Sequence, residues 1–310
     1  MSATIALPAR RLLRESGADT IRGIVLITIC YLLMTFSDVT VKYALPMTGL
    51  TAAILFRGLF GAATVLAITA RDGRTGLARL RPVRTGLVVF RSLLQAVVGI
   101  TWFAAWQSMA LADSYAVGFT TPLIATVAAV LILRERLDWP RILATSAGFI
   151  GVIIMLRPDG NLWNPAMPML LTGVVASAFA RLLTRTLSTT ETPECLAFSL
   201  LLMHLPVALA MLWFIPLHAI PLAGTLALIA LGLLSGISQM INARAYALAP
   251  VSALGPFDYS SMLWAVALGW LCFGETPNMA AMQGAVVIAL AGLYSLHSEQ
   301  RRRGREKGIA

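Results

Sequence analysis

Long apolar runs alternate with short polar turns along almost the whole chain. A helix that crosses a bilayer needs about 20 mostly apolar residues. By that measure the pattern predicts ten spans, at 23–44, 49–70, 86–107, 111–133, 141–156, 166–184, 195–217, 221–246, 250–272 and 279–296. The fifth run is short and needs a turn from its flanks. Breakers fall between the runs, among them Pro46, Gly73, Pro140, Pro158, Pro165, Pro193, Pro216, Pro221, Pro250 and Pro277. The longest connection, 71–85, leaves no room for a soluble domain.

Composition sharpens this reading. The 310 residues are 58% hydrophobic and 12% charged, against about 25% charged in soluble domains. Mean hydropathy is +0.80. A soluble fold this apolar lacks the polar surface to cover its core, so the pattern predicts an all-α integral membrane protein. Cys30, Cys195 and Cys272 lie in apolar runs without a CxxC partner and read as small packing side chains. The N-terminal arginines followed by an apolar stretch resemble a signal peptide. However, Gly23 to Met34 has no small-residue cleavage site after it and leads into Asp38 and Lys42, so it reads as an uncleaved first helix.

The formal charge of +10 would suit nucleic acid if it formed a polar surface. Here the basic residues sit between apolar runs, where they orient a membrane protein. With the N-terminus inside, Arg10, Arg11, Arg14 and Arg22 face the cytoplasm, followed by Arg71, Arg74, Arg79, Arg81 and Arg84. Arg134, Arg136, Arg141, Arg181, Arg185 and Arg244 join them, as does the tail from Arg301 to Lys307. Lys42 and Arg157 fall outside, and Arg57 and Arg91 within the membrane. Both termini are therefore expected in the cytoplasm of a cell with an inner (plasma) membrane.

The chain also repeats itself. Residues 110–118 read ALADSYAVG and residues 247–255 read ALAPVSALG. Each leads into a span, a short loop with a glutamate (Glu135, Glu275) and a closing helix with a late glycine. Five spans per unit is an odd number, so the two units insert in opposite directions, a layout common in secondary transporters. The expected organisation is a cytoplasmic segment 1–22, a five-helix repeat 23–156, a connecting loop 157–165, a second repeat 166–296 and a basic tail 297–310.

The stretches ALADSYAVGFTTPLIATVAAVLILRERLDWPR and ALAPVSALGPFDYSSMLWAVALGWLCFGETPN carry a resemblance to the drug/metabolite transporter superfamily, EamA type, with two fused domains. The final GAVVIALAGLYSL is similar to that family's last helix. The resemblance covers about 23–296 and implies ten transmembrane helices as two inverted five-helix repeats, working by alternating access. It implies a small-metabolite substrate, amino-acid-like, vitamin or nucleoside-like, without identifying it. Asp38 and Lys42 in the first span, with arginines in the next two, resemble the subset holding riboflavin and S-adenosylmethionine carriers.

Charges inside a bilayer cost about 3 kcal/mol each unless paired or hydrated, so they are the first candidates for a substrate or gating site. Asp38, Lys42 and Arg57 are expected as one cluster, with Lys42 one turn from Asp38 on the same face. Arg181, Arg244 and Asp258 form the expected counterpart in the opposite half. Arg91 lies near a span end and is expected to snorkel. Pro122 and Pro256 kink repeat-related spans, and Thr121 and Tyr259 beside them are candidate lining groups. Gln95, Gln239 and Asn242 are amides in apolar helices that should face the bundle. Trp102 offers a stacking wall, whereas Trp106, Trp139 and Trp163 read as interfacial belt residues. Asp38 and Asp258 are candidates for proton coupling.

The sequence carries no HExxH, no GxSxG and no Walker lysine loop, and His204, His218 and His297 lack metal spacing. The expectation is therefore a carrier, not an enzyme, without cofactor or metal, whose partners are its small-molecule substrate and membrane lipid, not nucleic acid. A channel is the remaining alternative, and nothing resembles a filter signature.

Overall fold

The computed structural model describes residues 17–121, 165–187, 190–248 and 260–276, with isolated positions at 124, 147, 150, 154 and within 279–294. Every regular element among the described residues is α-helical. These are α1 (Gly17–Ala70), α2 (Gly73–Ala78), α3 (Thr85–Ala105), α4 (Leu111–Gly118), α5 (Met167–Leu187), α6 (Pro193–Met211), α7 (Leu222–Leu248) and α8 (Ser260–Phe273). Five stretches are long and apolar enough to cross a membrane: Ile21–Ala70, Thr85–Ala105, Met167–Thr184, Pro193–Met211 and Leu222–Asn242. Pro122, Glu135, Gly148, Pro256, Asp258, Tyr259 and Gly292 lie outside the described residues, as do Trp139, Trp163 and both chain ends.

The 54 residues of α1 would run about 80 Å as one rod, more than twice the ~30 Å apolar slab of a bilayer. The chain turns at Gly49, whose φ of 76° and ψ of 167° lie in a region that only glycine enters without strain. The sequence pattern points to Pro46 as the breaker, but the helix continues through Pro46. A proline near a helix end forfeits little, because the carbonyl it leaves free lies close to the terminus.

The two arms of α1 pack on α7 in opposite directions. Along the first arm, the Ser37 hydroxyl lies 3.0 Å from the Ser235 hydroxyl, and the Cys30 thiol donates to the Ser238 carbonyl at 3.3 Å. Along the second arm, Gly232 lies against Phe56 and Phe60, and Gly236 against Gly61 and Thr64. Contact order along α7 rises with residue number in the second arm and falls in the first, so the arms are antiparallel. Lipid supplies no hydrophobic drive between helices, so small residues that let backbones close up provide the attraction. Hydroxyls within the spans are satisfied locally: Thr35, Thr48, Thr64 and Thr101 each donate to the carbonyl four residues back.

At one end of the bundle, the buried Glu191 carboxylate accepts from the backbone N–H groups of Val83 (2.9 Å) and Arg84 (2.7 Å), ahead of the first turn of α3. The Thr192 hydroxyl caps α6 by accepting from Cys195 N at 3.1 Å. At the other end, Trp213 and Phe214 between α6 and α7 are 88% and 85% exposed, as suits aromatic residues at a membrane interface.

Candidate functional site

Two elements, α1 through both its arms and α4, bring polar side chains together inside the apolar bundle. Asp38 comes from the first arm of α1, Arg57 from its second arm, and Tyr115 from α4. The Tyr115 hydroxyl donates to Asp38 Oδ2, and Arg57 lies within electrostatic reach of both. The guanidinium carbon of Arg57 also sits 5.1 Å from the centroid of the Phe103 ring. A cation over a desolvated aromatic face gains about 2 kcal/mol, which helps to hold a charge that burial alone would expel.

Aromatic rings from α3 continue this surface. Trp102 makes edge contacts of 5.7 Å with both Trp106 and Tyr115, and Phe103 stacks on Trp106 at 5.5 Å. Trp102 owes its position to glycines: a Cβ on Gly118 would come within 2.6 Å of its ring, and one on Gly173 within 3.3 Å. Among the described residues, Arg57 Nε, Trp102 Nε1, Trp106 Nε1 and Trp264 Nε1 are buried without a hydrogen-bond partner. All four are donors. His204 lies nearby on α6: its Nδ1 is 2.8 Å from the Leu200 carbonyl, and its Nε2 is packed at Gly99.

Lys42 does not join this group. It donates to Glu275 Oε1 and, at 2.6 Å, to the Met109 carbonyl, with its ammonium 5.3 Å from the Phe273 ring centroid. The other Glu275 oxygen accepts from Leu111 N at 3.0 Å. The structure thus divides the expected Asp38, Lys42 and Arg57 cluster into two layers one helical turn apart. Each layer connects α1 to α4 or to the turn before it.

The remaining described candidates lie on α3, α5 and α7 and just beyond α3 and α4, and the Asp258 expected beside Arg181 and Arg244 lies outside the described residues. Arg91 is buried instead of snorkelling, and donates to Thr184 Oγ1 (2.9 Å) and the Leu196 carbonyl (2.8 Å), which cross-links α3 to α5 and α6. Trp106 is 4% exposed, so it belongs to the interior and not to an interfacial belt; its ring sits in the apolar cluster that both arms of α1 share with α6 and α7. Thr121 is buried, Gln95, Gln239 and Asn242 are half-buried, and Arg181 and Arg244 are exposed.

Tyr115, Phe103, His204 and Glu275 were not singled out as site residues by the sequence pattern. A signal was present for two of them. A tyrosine in an apolar span needs a partner for its hydroxyl, and Glu275 recurs in the repeat as the counterpart of Glu135.

Comparison with known proteins places these features in context. The profile of the EamA-like transporter family matches residues 21–157 and again 164–296. A riboflavin transporter of Vibrio cholerae is 33% identical over 241 residues, 74% of this chain and 78% of that protein. A riboflavin transporter of Rhizobium johnstonii is 33% identical over 236 residues, 74% and 76% of the two chains. An S-adenosylmethionine uptake transporter of Rickettsia prowazekii is 25% identical over 283 residues, 88% and 93%. One crystal structure shares 18% identity with a TM-score of 0.62, covering 92% of this chain and 98% of its own; that likeness is one of fold.

Proposed function

This chain belongs to the EamA-like transporter family and carries a small metabolite across a membrane, and we propose that its substrate is a planar, acceptor-rich heterocycle of the riboflavin type, taken up by alternating access. The observation that carries this reading is the set of buried, unpartnered N–H donors on Arg57, Trp102 and Trp106 beside the aromatic wall of Trp102 and Tyr115. A buried donor without an acceptor costs about 1–3 kcal/mol. A flavin ring presents carbonyl and ring-nitrogen acceptors at its edge and a flat face to stack. Its ribityl hydroxyls can donate to Asp38. The 33% identity to riboflavin transporters supports the same substrate class.

The proposed layout is ten transmembrane helices in two inverted repeats with both termini in the cytoplasm. In that orientation Met109, in the turn between α3 and α4, and Glu275, just beyond α8, face outward. Asp38, the carboxylate of the deeper layer, is the proposed site for proton coupling. The double family match, one per half, supports the repeat.

The test is uptake into liposomes holding the purified protein, with radiolabelled riboflavin and with S-adenosylmethionine, the compound named for the Rickettsia relative. Saturable riboflavin entry, competed by unlabelled flavin, is the expected result. Saturable entry of S-adenosylmethionine alone would move the substrate class to adenosyl compounds. Non-saturating conductance would make the protein a channel.

A further inference from the structure

We infer that Glu275 is the latch of the outer gate, a positioning residue that holds the outward end of the bundle closed and does not touch substrate. The inference rests on the alternating-access reading and adds to it the residue that closes one side.

Glu275 joins three segments. Its Oε1 accepts from Lys42 on α1, and its Oε2 accepts from Leu111 N at the first residue of α4. Lys42 also donates to the Met109 carbonyl just before α4, which closes a ring of polar contacts around one carboxylate. Lys42, Met109 and Leu111 lie in the first family match and Glu275 in the second. The ring therefore spans the two halves whose relative motion opens and closes such a carrier.

The local backbone is arranged to present this carboxylate. Gly274 has a φ of +66°, which ends α8 and turns the chain back, so that Glu275 N donates to the Gly269 carbonyl at 3.2 Å. A Cβ on Gly269 would stand 3.3 Å from Glu275 Oε2, so a glycine there leaves the carboxylate its place. Phe273 covers the Lys42 ammonium from one side.

The latch is coupled to the deeper layer by helix geometry. Lys42 is four residues beyond Asp38 on α1, and Leu111 four before Tyr115 on α4. Four residues is one turn, about 6 Å. The two layers are therefore rungs between the same pair of helices, one with Glu275 between Lys42 and Leu111, the other the direct bond from Tyr115 to Asp38. Releasing the first rung frees α1 and α4 to part above the second.

The pair is poised for release. Its side chains are 12% and 20% exposed. Water reaching it raises the effective dielectric from about 20 toward 80, which weakens the attraction about fourfold. The contact is strong while the end is dry and weak once it opens, as a two-state gate requires.

The experiment follows access from outside, with no substrate added. In a cysteine-free background, Thr121→Cys places a thiol ten residues along the chain from Leu111, on the inward side. Its labelling by a membrane-impermeant thiol reagent is measured in right-side-out vesicles for the parent, Glu275→Gln, Lys42→Met and the swapped pair Lys42→Glu with Glu275→Lys. Glu275→Gln and Lys42→Met should each raise the labelling rate on the order of tenfold, and the swap should return it toward the parent's. Unchanged labelling in both single variants, at parental thermal stability, would overturn the latch. A rise in the single variants that the swap fails to reverse would also overturn it, because the effect would then come from disturbed packing. A failed riboflavin assay leaves these outcomes untouched, so the two readings fail separately.

Discussion

Asp38 and Lys42 lie one turn apart on the same helical face, yet the fold sends their charges to different partners. Asp38 accepts from the Tyr115 hydroxyl, whereas Lys42 binds Glu275 and the Met109 carbonyl. A single outer cluster would lose everything with either charge. Under the proposed function, the deeper layer would hold substrate and the outer layer would close the end.

Substitutions in the deeper layer should therefore impair transport directly. Asp38→Asn and Arg57→Gln are each expected to lower flux in liposomes by about tenfold or more, since each leaves the other buried charge without its counterpart. Tyr115→Phe removes one hydrogen bond to the Asp38 carboxylate but leaves both buried charges in place, and should have a smaller effect. All three should still be recovered folded. If Asp38→Asn transports at the parental rate, Asp38 is structural and the proposed site is wrong.

Glu191 should matter for stability and not for transport. Its carboxylate satisfies two backbone N–H groups at the entry to α3. Replacing it with alanine strands both donors, at a cost of about 2–3 kcal/mol. The midpoint of thermal unfolding should fall by several degrees, with flux per folded molecule preserved. A normal melting point for Glu191→Ala would show that water satisfies those groups.

The α1–α7 seam should not tolerate added bulk. A Cβ at Gly232 would meet the Phe60 Cβ at 2.4 Å and the Phe56 carbonyl at 2.8 Å, both rigidly held. Gly232→Val is expected to abolish recovery of monodisperse protein, and Gly232→Ala to lower its stability by about 1–3 kcal/mol. Recovery of Gly232→Val at parental yield and melting temperature would show that the seam opens easily.

Arg91 is expected to act as a structural cross-link. Arg91→Met deprives Thr184 Oγ1 and the Leu196 carbonyl of their donor and should destabilise by about 1–3 kcal/mol. Arg91→Lys should recover part of this, because an ammonium donates but lacks the planar fork. Flux per folded molecule should stay near the parental value for Arg91→Lys. A selective rise in KM without loss of stability would instead place Arg91 against substrate.

Topology is open to a direct check. Reporter fusions after residues 78 and 310 should both read as cytoplasmic, because arginines concentrate in the segments on that side. A periplasmic signal at either position would show that the number of spans is wrong.

Much of the architecture was legible in the chain because the bilayer imposes a one-dimensional rule. Each crossing needs about 20 apolar residues, so the stretches at Thr85–Ala105, Met167–Thr184 and Leu222–Asn242 could be read within a few residues of where they occur, whereas the run read as 195–217 ends as a helix at Met211. The reversal between the first two spans was legible as a turn but not by residue. Pro46 and Gly49 both break helices in principle, and only the backbone path shows that the turn uses the φ of Gly49.

The site was legible only in part, since a sequence displays charges but not their partners. Asp38, Lys42, Arg57 and Trp102 stood out because polar and aromatic groups are costly or conspicuous in an apolar run. Arg91 stood out for the same reason, yet it serves as a cross-link between helices. Tyr115 and Glu275 gained their meaning from residues 77 and 233 positions away in the chain. Hydropathy and helical period act over one or two turns and are written into the chain locally, so the sequence alone determined a multi-helix membrane carrier with charges in its spans. Which charge meets which depends on how helices distant in sequence cross, through glycine seams, ring packing and the end of α8. That pairing is a property of three-dimensional packing, and only the tertiary structure decided it.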